Sequence, residues 1–589
     1  MPDGSAGDAQ FEAGPKSSTT VADRDGKAPA GFDERDGPSS PRKTMTRAQL
    51  ASRIAQGETL VLHRRRIYKL DSWLARHPGG DLAILHFVGR DASDEIEAYH
   101  CDETLKRMRS FVVAMLDEND WEAYKPLVPP VQLGYRSGKL DHPDAQWVLY
   151  DSVRRAGASE SEKENGPRPQ GFPLPTSLLE PPPDPPGINA AHERALSRAY
   201  RRMHDDIKRA GLYTLRPAGY ARECTRYFAL AATAWYLWHM SLVKDSVALY
   251  MASSVFLGLF WHQLTFTAHD AGHTGITHSH FWDRLLGSII ADWIGGLSIG
   301  WWCDNHDVHH LVTNHPEHDP DIQHMPFFAI SPRFLVEKSP QADGAHGKKE
   351  TTFGLWSSYY RRVLLFDAPS RVFLSVQHKI YYLVMSLGRF NLYANSYGFL
   401  LFKAKKHEKW FWIEAAGIAF FWYWFGAIYL ASAPGWGSAL AALLVSHIVT
   451  SPLHVQIVLS HFAQSSEDLG LSESFASRQV RTTMDVQCPP WLDFLHGGLH
   501  MQVSHHLFPR LPRHNLREAR DRFVRPFCAT WGLQYEEYGF KEGNGKVLKT
   551  LGDVANQVRI MGKVAKAQAQ ARFIIDCSRW RSRTRPTNG

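Results

Sequence analysis

Long uncharged stretches alternate with short, densely charged ones along this chain. Tyr227 to Val243 and Ser246 to His269 contain no Lys, Arg, Asp or Glu, and only Lys244-Asp245 separates them. A third uncharged run, Ala415 to Ser466, is broken by Pro434-Gly435-Trp436-Gly437. A bilayer-crossing helix needs about 20 apolar residues, so this pattern predicts four spans. Basic residues precede the first (Arg216, Arg222, Arg226) and the third (Lys403, Lys405, Lys406, Lys409). By the positive-inside rule, both termini and the long central section then face the cytosol. Leu285 to Cys303 and Ile380 to Phe402 are also apolar, but Asp292 and Arg389 interrupt them. They read as interfacial or half-inserted helices, with two further spans as the alternative.

The first third of the chain has a different texture. Residues 1–43 are rich in Gly, Pro, Ser, Asp and Lys and predict disorder, with no apolar stretch to serve as a cleavable signal. Residues 44–140 are compact and mixed, with short strand-like pieces at Thr59-Leu60-Val61-Leu62 and Arg66-Ile67-Tyr68. A polar linker over 141–190 holds a proline-rich run, Gly157 to Gly187, that acts as a semi-stiff spacer and marks a domain boundary. A charged helix is predicted from Ala190 to Gly211, opening a membrane section over 191–540. Residues 541–589 form a basic C-terminal tail.

Composition narrows the class. The net charge of +7 forms no basic stripe interleaved with aromatics, which argues against a nucleic-acid partner. The 19 Trp, 21 Tyr and 31 Phe suit lipid interfaces. Six scattered cysteines without a CxxC pair exclude a disulfide framework or zinc knuckle and fit a reducing cytosol.

The 30 histidines carry the chemistry. His77-Pro78-Gly79-Gly80 is followed 23 residues later by His100. Alone, HPGG is ordinary turn chemistry. With Tyr68-Lys69-Leu70-Asp71-Ser72-Trp73-Leu74 before it and Gly89-Arg90-Asp91-Ala92-Ser93-Asp94-Glu95 after, the stretch resembles cytochrome b5 over roughly 45–135. The resemblance implies a b-type haem with His77 and His100 as axial ligands. Two imidazoles leave iron no open position, so such a haem passes electrons only. His86, in the same interval, reads as a packed or surface residue, and Gly79-Gly80 as a turn passing close to the haem edge.

Three further clusters lie downstream. His269-Asp270-Ala271-Gly272-His273 spaces two histidines at i, i+4. His306-Asp307-Val308-His309-His310 spaces three at i, i+3, i+4, and Gln502-Val503-Ser504-His505-His506 repeats that spacing with Gln first. On helices each set shares one face. All three clusters meet on the cytosolic side provided that Leu285 to Cys303 does not cross. A zinc protease is the rival for HxxxH, but it needs Glu beside the first His, where Asp270 stands. One zinc also takes only three or four ligands. Seven box histidines and a Gln suit two non-haem irons. Iron with O2 can oxidise an unactivated methylene, and a haem fed by a nicotinamide-dependent reductase can deliver the two electrons this needs.

Residues from about 216 to 540 resemble the membrane fatty-acid desaturases, in particular the front-end group, marked by the N-terminal cytochrome b5 domain and by Gln502 opening the third box. The resemblance implies an α+β haem domain followed by an all-α integral membrane domain with about four transmembrane helices. It implies iron ligation by His269, His273, His306, His309, His310, His505 and His506, with Gln502 in or beside the set, and one more ligand at His461. NADH-cytochrome b5 reductase would be the electron source and the endoplasmic reticulum membrane the location. Thr313-Asn314 and Asp319-Pro320-Asp321-Ile322 also match, with Asp319 and Asp321 expected to support the ligands. His447 is expected to be a hydrogen-bonded bundle residue, and His315, His318 and His324 loop or supporting groups. The spacer, Ala221-Arg222-Glu223-Cys224 and Leu459-Ser460-His461-Phe462-Ala463-Gln464 are similar to fungal Δ8-sphingolipid desaturases. That points to the sphingoid base of ceramide or glucosylceramide, with Gln464, Ser465, Ser466 and Glu467 as candidates for holding its polar end. An acyl-lipid Δ5 or Δ6 desaturase, a hydroxylase and a membrane electron shuttle with degenerate boxes are the alternatives.

Overall fold

The computed structural model describes residues 43–133, 174–335, 337–338 and 352–583. The N-terminal segment expected to be disordered and most of the proline-rich spacer lie outside these residues.

The haem-domain segment begins with four strands: β1 (Thr44–Met45), β2 (Leu60–His63), β3 (Arg66–Lys69) and β4 (Val112–Leu116), in the order β1-β4-β3-β2. Strands β2 and β3 pair antiparallel through Arg64 and Arg65, whose φ angles of 47° and 69° suit the tight turn that right-twisted strands favour. The helix Arg47–Ala55 starts at Thr46, whose side chain and that of Gln49 cap each other's backbone N–H. Leu60, Leu62, Ile67, Leu85 and Leu116 are fully buried between sheet and helices. The described end of the spacer joins this core: Leu174 N donates to Ala55 O, Val128 N donates to Leu179 O, and Leu179 is fully buried.

The remainder is helical. Helix Ala190–Arg209 forms as expected. Among the described residues, three helices are long and apolar enough to cross a membrane: Val247–Gly272, Lys409–Ser432 and Trp436–Phe462. The first expected span forms as helix Pro217–Val243, which is not among these three. A fourth apolar unit is broken: His280–Ile294 and Ile299–Leu311 meet at 117°. The break has identifiable causes. Gly296 takes φ 71°, Asp292 accepts from Ile299 N at 2.9 Å, and Glu414 accepts from Ser298 Oγ at 2.5 Å and Gly300 N at 3.2 Å while paired with Arg284. The acid that interrupts the apolar stretch therefore accepts the first N–H of the next helix, which Ser298 caps. Ile380 to Phe402 is likewise divided, into Ala368–Ser386 and Gly388–Phe402.

The basic tail differs from a plain polar tail. It is a helix, Phe540–Arg583, whose Val547, Leu551, Val554 and Val558 are buried, and Gln377 of helix Ala368–Ser386 donates to Leu551 O at 2.8 Å. The spacing of these four residues makes one apolar stripe, which the surrounding charge masks in a composition-based reading.

Candidate functional site

His77 and His100 face each other with ring centroids 6.2 Å apart. Each Nδ1 is committed to a backbone carbonyl, His77 to Gly80 O at 2.8 Å and His100 to Ile96 O at 2.9 Å. Donation through Nδ1–H leaves each Nε2 with its lone pair free to ligate. Metal–imidazole bonds of about 2 Å on either side set ring centres roughly 6 Å apart, so the pair fits one haem iron. His86 is fully buried outside this pair, with Gln132 at 3.3 Å and its ring 5.1 Å from that of His318. The glycines do more than turn. A Cβ at Gly79 would lie 2.7 Å from Asp307 Oδ2, and one at Gly80, where φ is 80°, 2.8 Å from Asp304 Oδ1. Only glycine lets this turn rest on the helix that bears the second box.

The three boxes converge. His269 and His273 end one apolar helix, His306, His309 and His310 line the last turns of Ile299–Leu311, and His505 and His506 lie on the short helix Gln502–Leu507. One group brings ligand atoms of His269, His273, His306 and His505 within 4.8 Å of one another; a second does so for His309, His461 and His506. His461, the further ligand that the resemblance implies, lies in this second group. His310 lies between the groups, stacked 4.0 Å from His506, with Nε2 3.1 Å from His306 Nε2. Gln502 is buried at the start of its helix.

The donor set fits metal. Nitrogens of His269, His273, His310, His505 and His506 are buried with no hydrogen-bond partner, a costly state unless something else occupies their lone pairs. Burial first, and the neighbouring imidazoles with it, hold His505 and His506 well below the usual histidine range, in the neutral form that ligates.

Outer partners orient the rings. Asp319 Oδ2 lies 2.8 Å from His309 Nδ1, and Asp321 Oδ2 lies 3.1 Å from His306 Nδ1. Asp270, the residue a zinc protease would replace with its Glu base, is held by Tyr220 at 2.5 Å and Arg513 at 2.8 Å. Three partners escaped the sequence reading. Gln479 is fully buried, with Oε1 3.0 Å from His506 Nδ1 while its Nε2 donates to His310 O at 2.8 Å. Asp485 accepts from Val503 N at 2.9 Å at the start of the third-box helix. Arg513 joins Asp270 to Glu223. None of the three belongs to a motif, and only the fold brings them near a box.

Elsewhere His447 accepts or donates at 3.1 Å with the Tyr393 hydroxyl, as a bundle residue should. His315 pairs with Asp468 at 3.4 Å, His318 with Ser358 at 3.0 Å, and His324 packs on Phe462. Two of the four candidates for the polar end are occupied within the protein: Gln464 donates to Glu536 at 3.0 Å, and Ser465 Oγ accepts from Arg481 at 2.9 Å.

Residues 46–119 match the cytochrome b5-like heme/steroid binding domain, and residues 246–539 match the fatty acid desaturase family. The chain is 42% identical over 557 residues to a Delta 8-(E)-sphingolipid desaturase of Emericella nidulans, covering 89% of this chain and 97% of that protein. It is 39% identical to the protein of the same name from Candida albicans, over 88% and 97% of the two chains. A Delta(8)-fatty-acid desaturase of Helianthus annuus is 27% identical over 88% and 93%. A haem-binding domain joined to a histidine-box membrane domain defines an oxidoreductase that carries its own electron donor. The chain belongs to the family of cytochrome b5-fused membrane desaturases.

Proposed function

We propose that the protein introduces an E double bond at carbon 8 of the sphingoid base of ceramide or glucosylceramide. The observation that carries the substrate is about 40% identity, over nearly their whole length, to fungal enzymes named for that reaction. An acyl-lipid Δ5 or Δ6 activity is the alternative reading, and the fatty-acid desaturase of Helianthus annuus stands at 27% identity.

His269, His273, His306 and His505 would hold one iron, and His309, His461 and His506 the other, with His310 between them and Gln502 beside the third box. His77 and His100 would hold the haem. When bound, the irons with O2 supply an oxidant able to take hydrogen from an unactivated methylene, and the haem supplies electrons singly. Asp319 and Asp321 keep protons on Nδ1 of His309 and His306, which aims their Nε2 lone pairs inward. Trp302 stacks on His306 at 4.4 Å and meets His269 and His273 edge-on at 5.2 Å, packing all three rings on one indole. NADH, through cytochrome b5 reductase, is the ultimate electron source. The enzyme is placed in the endoplasmic reticulum membrane with several spans, its boxes and haem domain cytosolic. A glycosylation tag near Gly435 should then be modified.

The test is expression in a host that makes ceramide without a Δ8 bond. The base should gain a second unsaturation while acyl chains stay unchanged. New Δ5 or Δ6 acyl chains with unaltered bases would overturn the substrate, and a hydroxylated base without a new double bond would overturn the reaction.

A further inference from the structure

The haem segment is docked on the second-box helix. Val308, Leu311 and Val312 share one core with Leu82 and Leu85. Ser197 and Arg201 of helix Ala190–Arg209 hold Asp94 at 2.5 and 2.8 Å, and Lys405 donates to Ala75 O. Within this contact Tyr99 adjoins one histidine centre through the chain and meets the other through its ring. Tyr99 immediately precedes His100, and its ring meets that of His310 edge-on at 6.4 Å and 84°. Beyond it, His310 stacks on His506 at 4.0 Å. Tyr99 packs against both the haem-segment core and the cluster around Leu507 and Phe508. Its hydroxyl is buried without a hydrogen-bond partner, so the fold gains nothing from the polar tip. What the position uses is the ring.

We propose that Tyr99 is the electron bridge from the haem to the iron centre, a positioning residue whose ring links haem ligand His100 to box histidine His310. The proposal rests on the reading of His77/His100 as a haem site and the boxes as an iron site. Each transfer oxidises one ferrous haem to ferric and reduces one ferric iron to ferrous. Two transfers serve each turnover, and Tyr99 keeps its proton throughout. A rival path runs through Asp307, which lies under Gly79 and 4.0 Å from His273 Nδ1. The π system of a carboxylate spans only three atoms and that of a phenol ring the whole six-membered ring, so the aromatic route leaves the shorter jump.

The experiment uses the full chain loaded with haem and ferric iron. The haem is reduced without O2 or lipid, and its reoxidation is followed by rapid absorbance spectroscopy in wild type, Tyr99→Phe and Tyr99→Leu. Hydrogen exchange over residues 304–312 reports docking. Tyr99→Phe should stay within about twofold of wild type and Tyr99→Leu should slow roughly tenfold or more, with haem spectrum, midpoint potential and exchange protection unchanged. A Leu variant as fast as wild type would overturn the bridge in favour of another path. So would a Phe variant as slow as Leu, or slowing that merely tracks lost protection at 304–312. Wild-type haem that never passes electrons to ferric iron would sink the underlying functional reading and this proposal with it.

Discussion

Asp319→Asn isolates what an outer carboxylate contributes to the iron centre. Asp319 is fully buried and takes three hydrogen bonds: Oδ2 from His309 Nδ1 at 2.8 Å and Asn314 N at 2.7 Å, and Oδ1 from Asp321 N at 2.8 Å. Asparagine keeps the shape and one acceptor, but its NH2 must replace an oxygen that now receives an N–H. One buried donor is left facing a donor, at a cost of about 1–3 kcal/mol. If the NH2 faces His309, the ring loses both its tautomer lock and the negative charge that makes its Nε2 a better donor. Losing such a partner typically weakens metal binding or activity about 10–100-fold, or roughly 1.4–2.7 kcal/mol. Iron per chain should be measured by mass spectrometry against rising chelator, with haem content as an internal check on folding. Iron should leave Asp319→Asn at chelator concentrations about 10–100-fold lower than wild type, with haem retained. Equal retention in both proteins would refute the orienting role.

Three further outcomes follow from the same geometry. His461→Ala should lower bound iron and abolish desaturation while leaving haem in place, because its group keeps only His309 and His506; full iron loading would remove His461 from the ligand set. His77→Ala and His100→Ala should each abolish the six-coordinate, low-spin haem spectrum, whereas His86→Ala, buried away from the pair, should keep it. Arg513→Met leaves Glu223 and Asp270 as buried carboxylates without their shared cation. It should destabilise the detergent-solubilised protein by about 3–5 kcal/mol, and an unchanged thermal midpoint would contradict that.

The local chemistry was legible in the linear chain. Imidazoles at i, i+3 and i+4 must share a helix face, and HPGG followed by a distant His in cytochrome b5 surroundings is read without a fold. The strand pair at Leu60–His63 and Arg66–Lys69 and the helix Ala190–Arg209 were equally local. Periodicity and propensity act over a few residues, so one chain suffices to see them. Partners distant in sequence were not legible. Gln479 behind His506 and Arg513 between Asp270 and Glu223 belong to no motif, and the docking of Gly79 on Asp307 joins parts 228 residues apart. The bend at Asp292 could be suspected from its charge, but its hydrogen bond to Ile299 N and the Glu414 contacts around it exist only in three dimensions. The buried stripe of Phe540–Arg583 was masked by its lysines and arginines because composition averages over faces that packing separates. Candidate ligands can be picked out by residue type and spacing. Ligand orientation and the path between the two centres depend on which distant segments the core brings into contact, and that is decided by tertiary packing.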